Sequence, residues 1–359
     1  MTALPETLLG LVKAYSPSGA ERPAVEYLVS RMQALGFSQA TIDAAGNAVG
    51  VMGSGPRQIV LLGHIDTVPG EIPVRVAPSP LTPLPEGEGQ VLYGRGSVDA
   101  KGPLACFVDA VARLGALEGW QLVVIGAVEE ERDSDGARHV VSAYRPEFAI
   151  IGEPNRWDRL ALGYKGSAWA ELTVRREQAH TAAAQESACE AAIAVWLAAK
   201  AWAEEFNRGR QRVFDRLLLT LRAMSSGDED YRQWARLSIG ARLPLDLDPS
   251  AWYQRLAGLA GAAQVQPTGF ALPAYQCEKN TPLVRAFLAA IRLAGGTPSF
   301  VYKTGTADLN VVGPLWKCPA LVYGPGDSAL DHTPDENLPL HEYARAVDVL
   351  AEALRTLVR

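Results

Sequence analysis

Val60-Leu-Leu-Gly-His-Ile-Asp-Thr-Val-Pro69 decides how this chain is read. The apolar run at 59–62 has the composition of a buried strand, and it leads into a histidine separated from an aspartate by one residue. Side chains two apart on a strand point to the same side, so His64 and Asp66 can touch. An imidazole backed by a carboxylate is the arrangement that orients metal-bound histidines. On spacing alone such a pair is more often an ordinary turn. Its weight depends on whether other strand ends present further ligands.

Composition narrows the classes. The chain has 359 residues, 48% of them hydrophobic, and no apolar run near bilayer length, which predicts a soluble globular protein of one large or two moderate domains. Residues 1–9 lack the basic start and apolar centre of a secretory signal, so the expected location is the cytoplasm. Cys106, Cys189, Cys277 and Cys318 are far apart with no Cys-x-x-Cys spacing, which argues for reduced, mostly buried thiols. A formal net charge of -6 carries neither a nucleic-acid footprint nor a polybasic membrane patch. A small or protein-borne substrate fits better.

Outward from the opening stretch, helical patterns at 6–14 and 22–35 precede strands at 40–52 and 58–62, and a proline- and glycine-rich surface loop is expected at 68–89. Leu92-Tyr-Gly-Arg-Gly-Ser-Val-Asp-Ala-Lys-Gly-Pro103 reads as a glycine-rich turn opening a helix, with Pro103 in its first turn and Asp99 at its entrance. A strand at 121–128 ends in Glu129-Glu130-Glu131, and another at 148–151 ends in Gly152-Glu153-Pro154. Strands alternating with helices predict a mainly parallel sheet, whose ligands gather at the carboxyl ends of the strands. From 166 the order changes to strand 166–175, helix 187–206, strands 213–224 and 236–243, helix 249–259 and strand 263–272, a β-α-β-β-α-β ferredoxin-like unit. The α/β pattern then resumes with a helix from Thr281, strands near Phe300 and at 320–323, the turn Gly324-Pro-Gly-Asp-Ser-Ala-Leu-Asp-His-Thr-Pro334, and a closing helix at 340–357. The expected architecture is an α/β domain in two parts, 1–165 and 275–359, with an inserted α+β domain at 166–274.

His64, Asp99, Glu130, Glu153 and His332, with further carboxylates at Glu129 and Asp66, are what a two-metal hydrolytic site requires. Imidazole and carboxylate without thiolate suit zinc or a similar first-row ion. One carboxylate must stay off the metals to move protons. Glu131, the last of its run, is expected to face solvent.

Five motifs in order, Gly63-His-Ile-Asp66, Gly94-Arg-Gly-Ser-Val-Asp-Ala-Lys-Gly102, Glu129-Glu130, Gly152-Glu-Pro154 and His332 before Thr-Pro, make the chain resemble the M20 family of metallopeptidases and amide hydrolases over nearly its whole length. Ser97 departs from the alanine expected there. The resemblance implies a zinc-hydrolase catalytic domain with two divalent ions, Zn2+ or else Co2+, and an inserted domain acting as a lid and forming a homodimer. It implies that Asp99 bridges the metals, that His64 and Glu153 complete one site, and that Glu130 and His332 complete the other. Glu129 matches the general acid/base, Asp66 the carboxylate orienting His64, and His180 a donor to the oxyanion that reaches the partner subunit's site.

A narrower resemblance rests on His64-Ile-Asp-Thr-Val-Pro-Gly-Glu-Ile-Pro-Val-Arg75, Leu162-Gly-Tyr-Lys-Gly166, Lys303-Thr-Gly-Thr-Ala-Asp308 and Tyr323-Gly-Pro-Gly-Asp327. These stretches are similar to the members that release lysine, or ornithine, from the γ-carboxyl of the glutamate ending a small acidic carrier protein. The alternatives are a hydrolase of small acylated amino acids, of the acetylornithine deacetylase or succinyl-diaminopimelate desuccinylase kind, and a non-catalytic metal-stabilised binding protein. For the substrate, Arg242 either guides a carboxylate or pairs on a strand face. Thr304-Gly305-Thr306-Ala-Asp308 reads as a helix start whose free N–H groups are capped or bind a substrate carboxylate, with Asp308 meeting an ammonium. The basic run Arg208-Gly-Arg-Gln-Arg212 is either a solvated loop or a docking patch for an acidic carrier.

Overall fold

The computed structural model describes residues 4–78, 89–178, 180 and 185–358. The chain divides into two compact units, one made of 1–162, 277–301 and 307–359, the other of 163–276 with 302–306. No helix among the described residues is long and apolar enough to cross a membrane.

In the first unit, the strands Trp120–Ala127, Arg57–His64, Phe148–Gly152 and Ala320–Val322 lie side by side and parallel. Every residue from Ile59 to His64 is buried, as expected of a parallel strand covered on both faces. The flanks are antiparallel: the hairpin Gln39–Ile42 and Ala48–Met52 continues the sheet on one side, and Arg159–Tyr164 pairs with Ala320–Val322 on the other. The sheet is therefore mixed, with a parallel centre, rather than mainly parallel throughout. The single strand expected at 40–52 is the hairpin. Asp43 Oδ1 accepts from the amides of Ala45 and Asn47 at 2.9 Å each, and Gly46 takes φ 98°, which folds the chain back.

Register sets the carboxyl ends level. His64 pairs with Ala127 and Gly63 with Gly152, so the residues that follow each strand leave the sheet along one edge. Helix Lys101–Leu114 lies directly over this edge: a Cβ on Gly63 would sit 3.3 Å from the Leu104 Cβ. Of the loop expected at 68–89, Arg75–Pro78 forms a small three-stranded sheet with Gln90–Tyr93 and Asn337–Pro339, and 79–88 lie outside the described residues.

The second unit has the strand order Leu218–Glu229, Arg232–Leu243, Gly166–Glu177, Gln264–Leu272, with all neighbours antiparallel. Counted along the chain and read from the far edge this is fourth, first, third, second, the ferredoxin-like order. Helices Ala188–Phe206 and Pro249–Ala260 complete a core around Leu172, Leu237, Ile239 and Trp252. Ser187 and Glu190 form a capping box on the first helix, and Asp248 caps the second. The strand expected at 213–224 begins only at Leu218, because Val213–Asp215 turn as a short 3-10 helix around the buried Lys165, whose Nζ donates to the Phe214 carbonyl at 2.9 Å. The four cysteines are free, but only Cys106 and Cys277 are buried, and Cys189 is exposed.

Asn47 ties the hairpin to the carboxyl edge of the sheet. Its buried side chain donates to Asp43 Oδ2 and the Gly136 carbonyl and accepts from the Val128 amide at 3.0 Å. Asn47→Ala strands buried backbone groups and is expected to lower the unfolding free energy by about 1–3 kcal/mol in a urea titration.

Candidate metal centre

Three groups of side chains on the first unit each bring one ligand atom within 4.8 Å of one another: His64, Asp99 and Glu153; Asp99, Glu131 and His332; His64, Glu130 and Glu131. Asp99 joins the first two groups. Its Oδ1 is 3.2 Å from His64 Nε2 and its Oδ2 is 3.1 Å from His332 Nε2. His64 and Glu153 are buried, Asp99 is nearly so, and the His332 side chain is 52% exposed, which leaves the cluster open on that side.

The glutamate run differs from expectation by one position. Glu129 adopts a left-handed φ of 61°, and its carbonyl accepts from the amides of Asp133 and Ser134, so the chain turns sharply as it leaves the strand. Its side chain goes to Arg132 Nη2 at 2.7 Å and belongs to none of the three groups found among the described residues. Glu131 does not face solvent. Its side chain is 10% exposed, and its Oε1 is 3.0 Å from His332 Nε2. Glu131 thus holds the position beside His332 expected of Glu130, and Glu130 is grouped with His64 and Glu131.

Asp66 does more than orient its neighbour. His64 Nδ1 is closer to the Asp66 carbonyl, at 3.0 Å, than to its carboxylate, at 3.4 Å. The buried carboxylate instead accepts from the amides of Glu130 and Glu131 at 3.1 Å each and from the Ser18 hydroxyl at 2.6 Å. Glu336, which no sequence motif singled out, behaves alike toward Asp99. It is fully buried, pairs with Arg95 Nη1 at 2.8 Å, and accepts from the amides of Val98 and Asp99 at 2.9 and 3.0 Å.

The residues expected to meet substrate fall on both units. In the second, Arg242 Nη1 donates to Thr306 Oγ1 at 3.2 Å, so these two come together; Thr304 and His180 are exposed, and Gly305 is half-buried. Asp308 belongs to the first unit and is buried. The helix after Asp308 starts at Leu309, so the amides of Thr304 to Thr306 lie ahead of it and not in its first turn. The basic run is neutralised locally: Arg210 pairs with Asp246, Arg212 with Asp215 and Arg208 with Glu205.

A model of the peptidase family M20/M25/M40 matches residues 60–356. The chain belongs to this family. Among M20 relatives, it is 46% identical to the [LysW]-lysine hydrolase of Deinococcus radiodurans, over 98% of this chain and 96% of that one. It is 39% identical to a putative [LysW]-lysine/[LysW]-ornithine hydrolase of Thermococcus kodakarensis, over 98% and 91%. Its fold matches the aminopeptidase PepT of Bacillus cereus with a TM-score of 0.77 at 18% identity, covering 99% of each chain. It also matches the YXEP protein of Bacillus subtilis, described as a dinuclear metal binding peptidase from the M20 family, with a TM-score of 0.69 at 14% identity over 98% and 96%.

The electrostatics of this M20 site fit cations. Burial pushes the Glu130 and Glu153 carboxyls well above the usual carboxylate range. Burial pulls the His64 imidazole down, but its bonds to Asp66 and Asp99 outweigh it and hold the imidazole well above its ordinary value. Hydrogen bonds to Asp99 and Glu131 raise His332 to about 10. Raised pKa values favour the protonated forms in the protein alone, and a cation would compete with the protons of the groups that ligate it. Of these, the candidate ligands His64, Glu153 and His332 would each have to give up a proton for a metal to bind, so affinity is expected to grow with pH up to about 10, the value to which His332 is raised. Adding Co2+ to metal-free protein in weak buffer at pH 7 is expected to release protons, read with an indicator dye, and the apparent affinity is expected to fall steadily as the pH is lowered.

Proposed function

We propose that this chain is a two-metal amidohydrolase that releases lysine or ornithine from the γ-carboxyl of the glutamate ending a small acidic carrier protein. The observation that carries this is the full-length similarity to relatives named [LysW]-lysine hydrolase and putative [LysW]-lysine/[LysW]-ornithine hydrolase, at 46% and 39% identity. The donor set of imidazoles and carboxylates favours Zn2+, with Co2+ as a functional substitute. His64, Asp99 and Glu153 would hold one ion and Asp99, Glu131 and His332 the other. Bound there, the ions supply Lewis acidity, polarising the scissile carbonyl and making water easier to deprotonate.

The protein's own groups would do the rest. Glu130, with its raised pKa and its amide fixed by Asp66, takes a proton from water and returns it to the amine as the C–N bond breaks. The carboxylate stays on the carrier and the amine leaves with the amino acid. Arg242 and Thr306 receive a substrate carboxylate, helped by the Thr304 and Gly305 amides. Asp308 is buried on the first unit, and a substrate ammonium would suit its carboxylate. Burial pushes its pKa up to about 7 against the pull of His64 and the Ser134 hydroxyl, and a bound ammonium would draw it back down. His180 would donate to the oxyanion. The second unit would serve as lid and as the contact of a homodimer in the cytoplasm; its edge strand Leu218–Glu229 exposes most of its residues and so remains available for pairing.

Glu130→Gln is expected to lower kcat by about 10²- to 10⁴-fold while metal content stays at two ions, whereas Glu129→Gln keeps most of the turnover. If Glu130→Gln instead lost a metal, Glu130 would be a ligand. Assayed against N-acetylornithine, succinyl-diaminopimelate and a carrier-γ-lysine conjugate, the Zn2+-loaded protein is expected to prefer the conjugate; turnover confined to the small compounds would rule the carrier substrate out. Arg242→Ala should raise KM, and His180→Ala should lower kcat.

A further inference from the structure

We infer that Glu336 is a positioning residue of the metal centre, fixing Asp99 at the place where one carboxylate can serve both histidine-bearing sides. It rests on Asp99 being the shared ligand proposed above.

Three features of the geometry carry it. The Glu336 carboxylate is fully buried, and the Val98 and Asp99 amides both donate to its Oε1, so it grips the backbone of the turn that presents Asp99. Its other oxygen is held by Arg95 Nη1, and Arg95 in turn donates from Nε to the Gly70 carbonyl, so the carboxylate is anchored from behind. Glu336 also lies four residues after His332, with Thr333 bonding back to the Leu330 carbonyl between them. The same loop therefore supplies one ligand and clamps another. A shift of Glu336 would carry the Val98–Asp99 amides with it and change the 3.2 and 3.1 Å separations of Asp99 from His64 and His332.

A carboxylate is needed here because two amides and a guanidinium converge on it, and all three are donors. Glutamine at 336 would keep an acceptor oxygen for the amides but present an NH2 to Arg95. The grip would loosen while the volume stayed the same.

The test is metal binding to purified full-length protein, with Co2+ as probe, read by calorimetric stoichiometry and by the visible Co2+ spectrum, with the melting temperature of each metal-free variant measured alongside. Wild type is expected to take up two ions. Glu336→Gln is expected to weaken the second ion by about 10- to 100-fold and to change the Co2+ spectrum, with Glu336→Asp recovering part of the loss. Leu350→Ala, a buried substitution in the closing helix, controls for destabilisation and should still bind two ions. If Glu336→Gln does not fold because Arg95 is left unpaired, the double variant Glu336→Gln/Arg95→Met carries the same comparison. Two ions bound by the Glu336 variant with wild-type affinity and spectrum would overturn the positioning role alone. A wild type that binds a single ion would overturn the shared-ligand reading, and this inference with it.

Discussion

Backbone amides held by buried carboxylates are the interaction on which the site depends. Strand ends and loops do not by themselves hold side chains at ligand spacing, since each turn has free N–H groups and few fixed contacts. Here Asp66, two residues from His64, binds the amides of Glu130 and Glu131. Glu336, four residues from His332, binds those of Val98 and Asp99. Glu131 then meets His332, and Asp99 meets His64. The four turns that carry the candidate ligands thus close into a circuit in which each is fixed by its neighbour, and charge-assisted bonds of this kind are stronger than neutral ones.

The same arrangement concentrates negative charge. Asp66, Asp99, Glu130, Glu131, Glu153 and Asp308 share one side of the first unit with two imidazoles. Removing so many carboxylates from water is costly unless cations or protons neutralise them. The upward displacement of Glu130 and Glu153 is the response in protons, and the metal ions proposed above would be the other. Glu129 and His332 both take a left-handed backbone, at φ 61° and 59°, in the turns that border the cluster.

Much of this was legible in the chain. Apolar runs ending in His64, in the glutamate run and in Glu153 announced level strand ends, because register and burial both follow from the period of the side chains. The βαββαβ order at 166–272 was readable from the succession of strand and helix patterns, and the strand order 4-1-3-2 of the second unit agrees with it. What a linear pattern could not show was rotation within a turn. Three adjacent glutamates are equivalent on paper, and only the turn made at Glu129 determines that the second and third face the cluster. Glu336 was hidden for a related reason: its partners, Arg95, Val98 and Asp99, are about 240 residues away in sequence, and no spacing rule spans that distance. The Asn47 hairpin was missed because a five-residue turn inside a β-prone run resembles a continuous strand until its aspartate is seen bonding to its own backbone.

The most direct test of the account is a crystal structure of the Zn2+-loaded protein with anomalous difference maps collected at the zinc edge. Two peaks sharing Asp99 are predicted, one completed by His64 and Glu153 and the other by Glu131 and His332, with Glu130 bound to neither. A single peak, or a second ion held by Glu129 or Glu130 in place of Glu131, would contradict it.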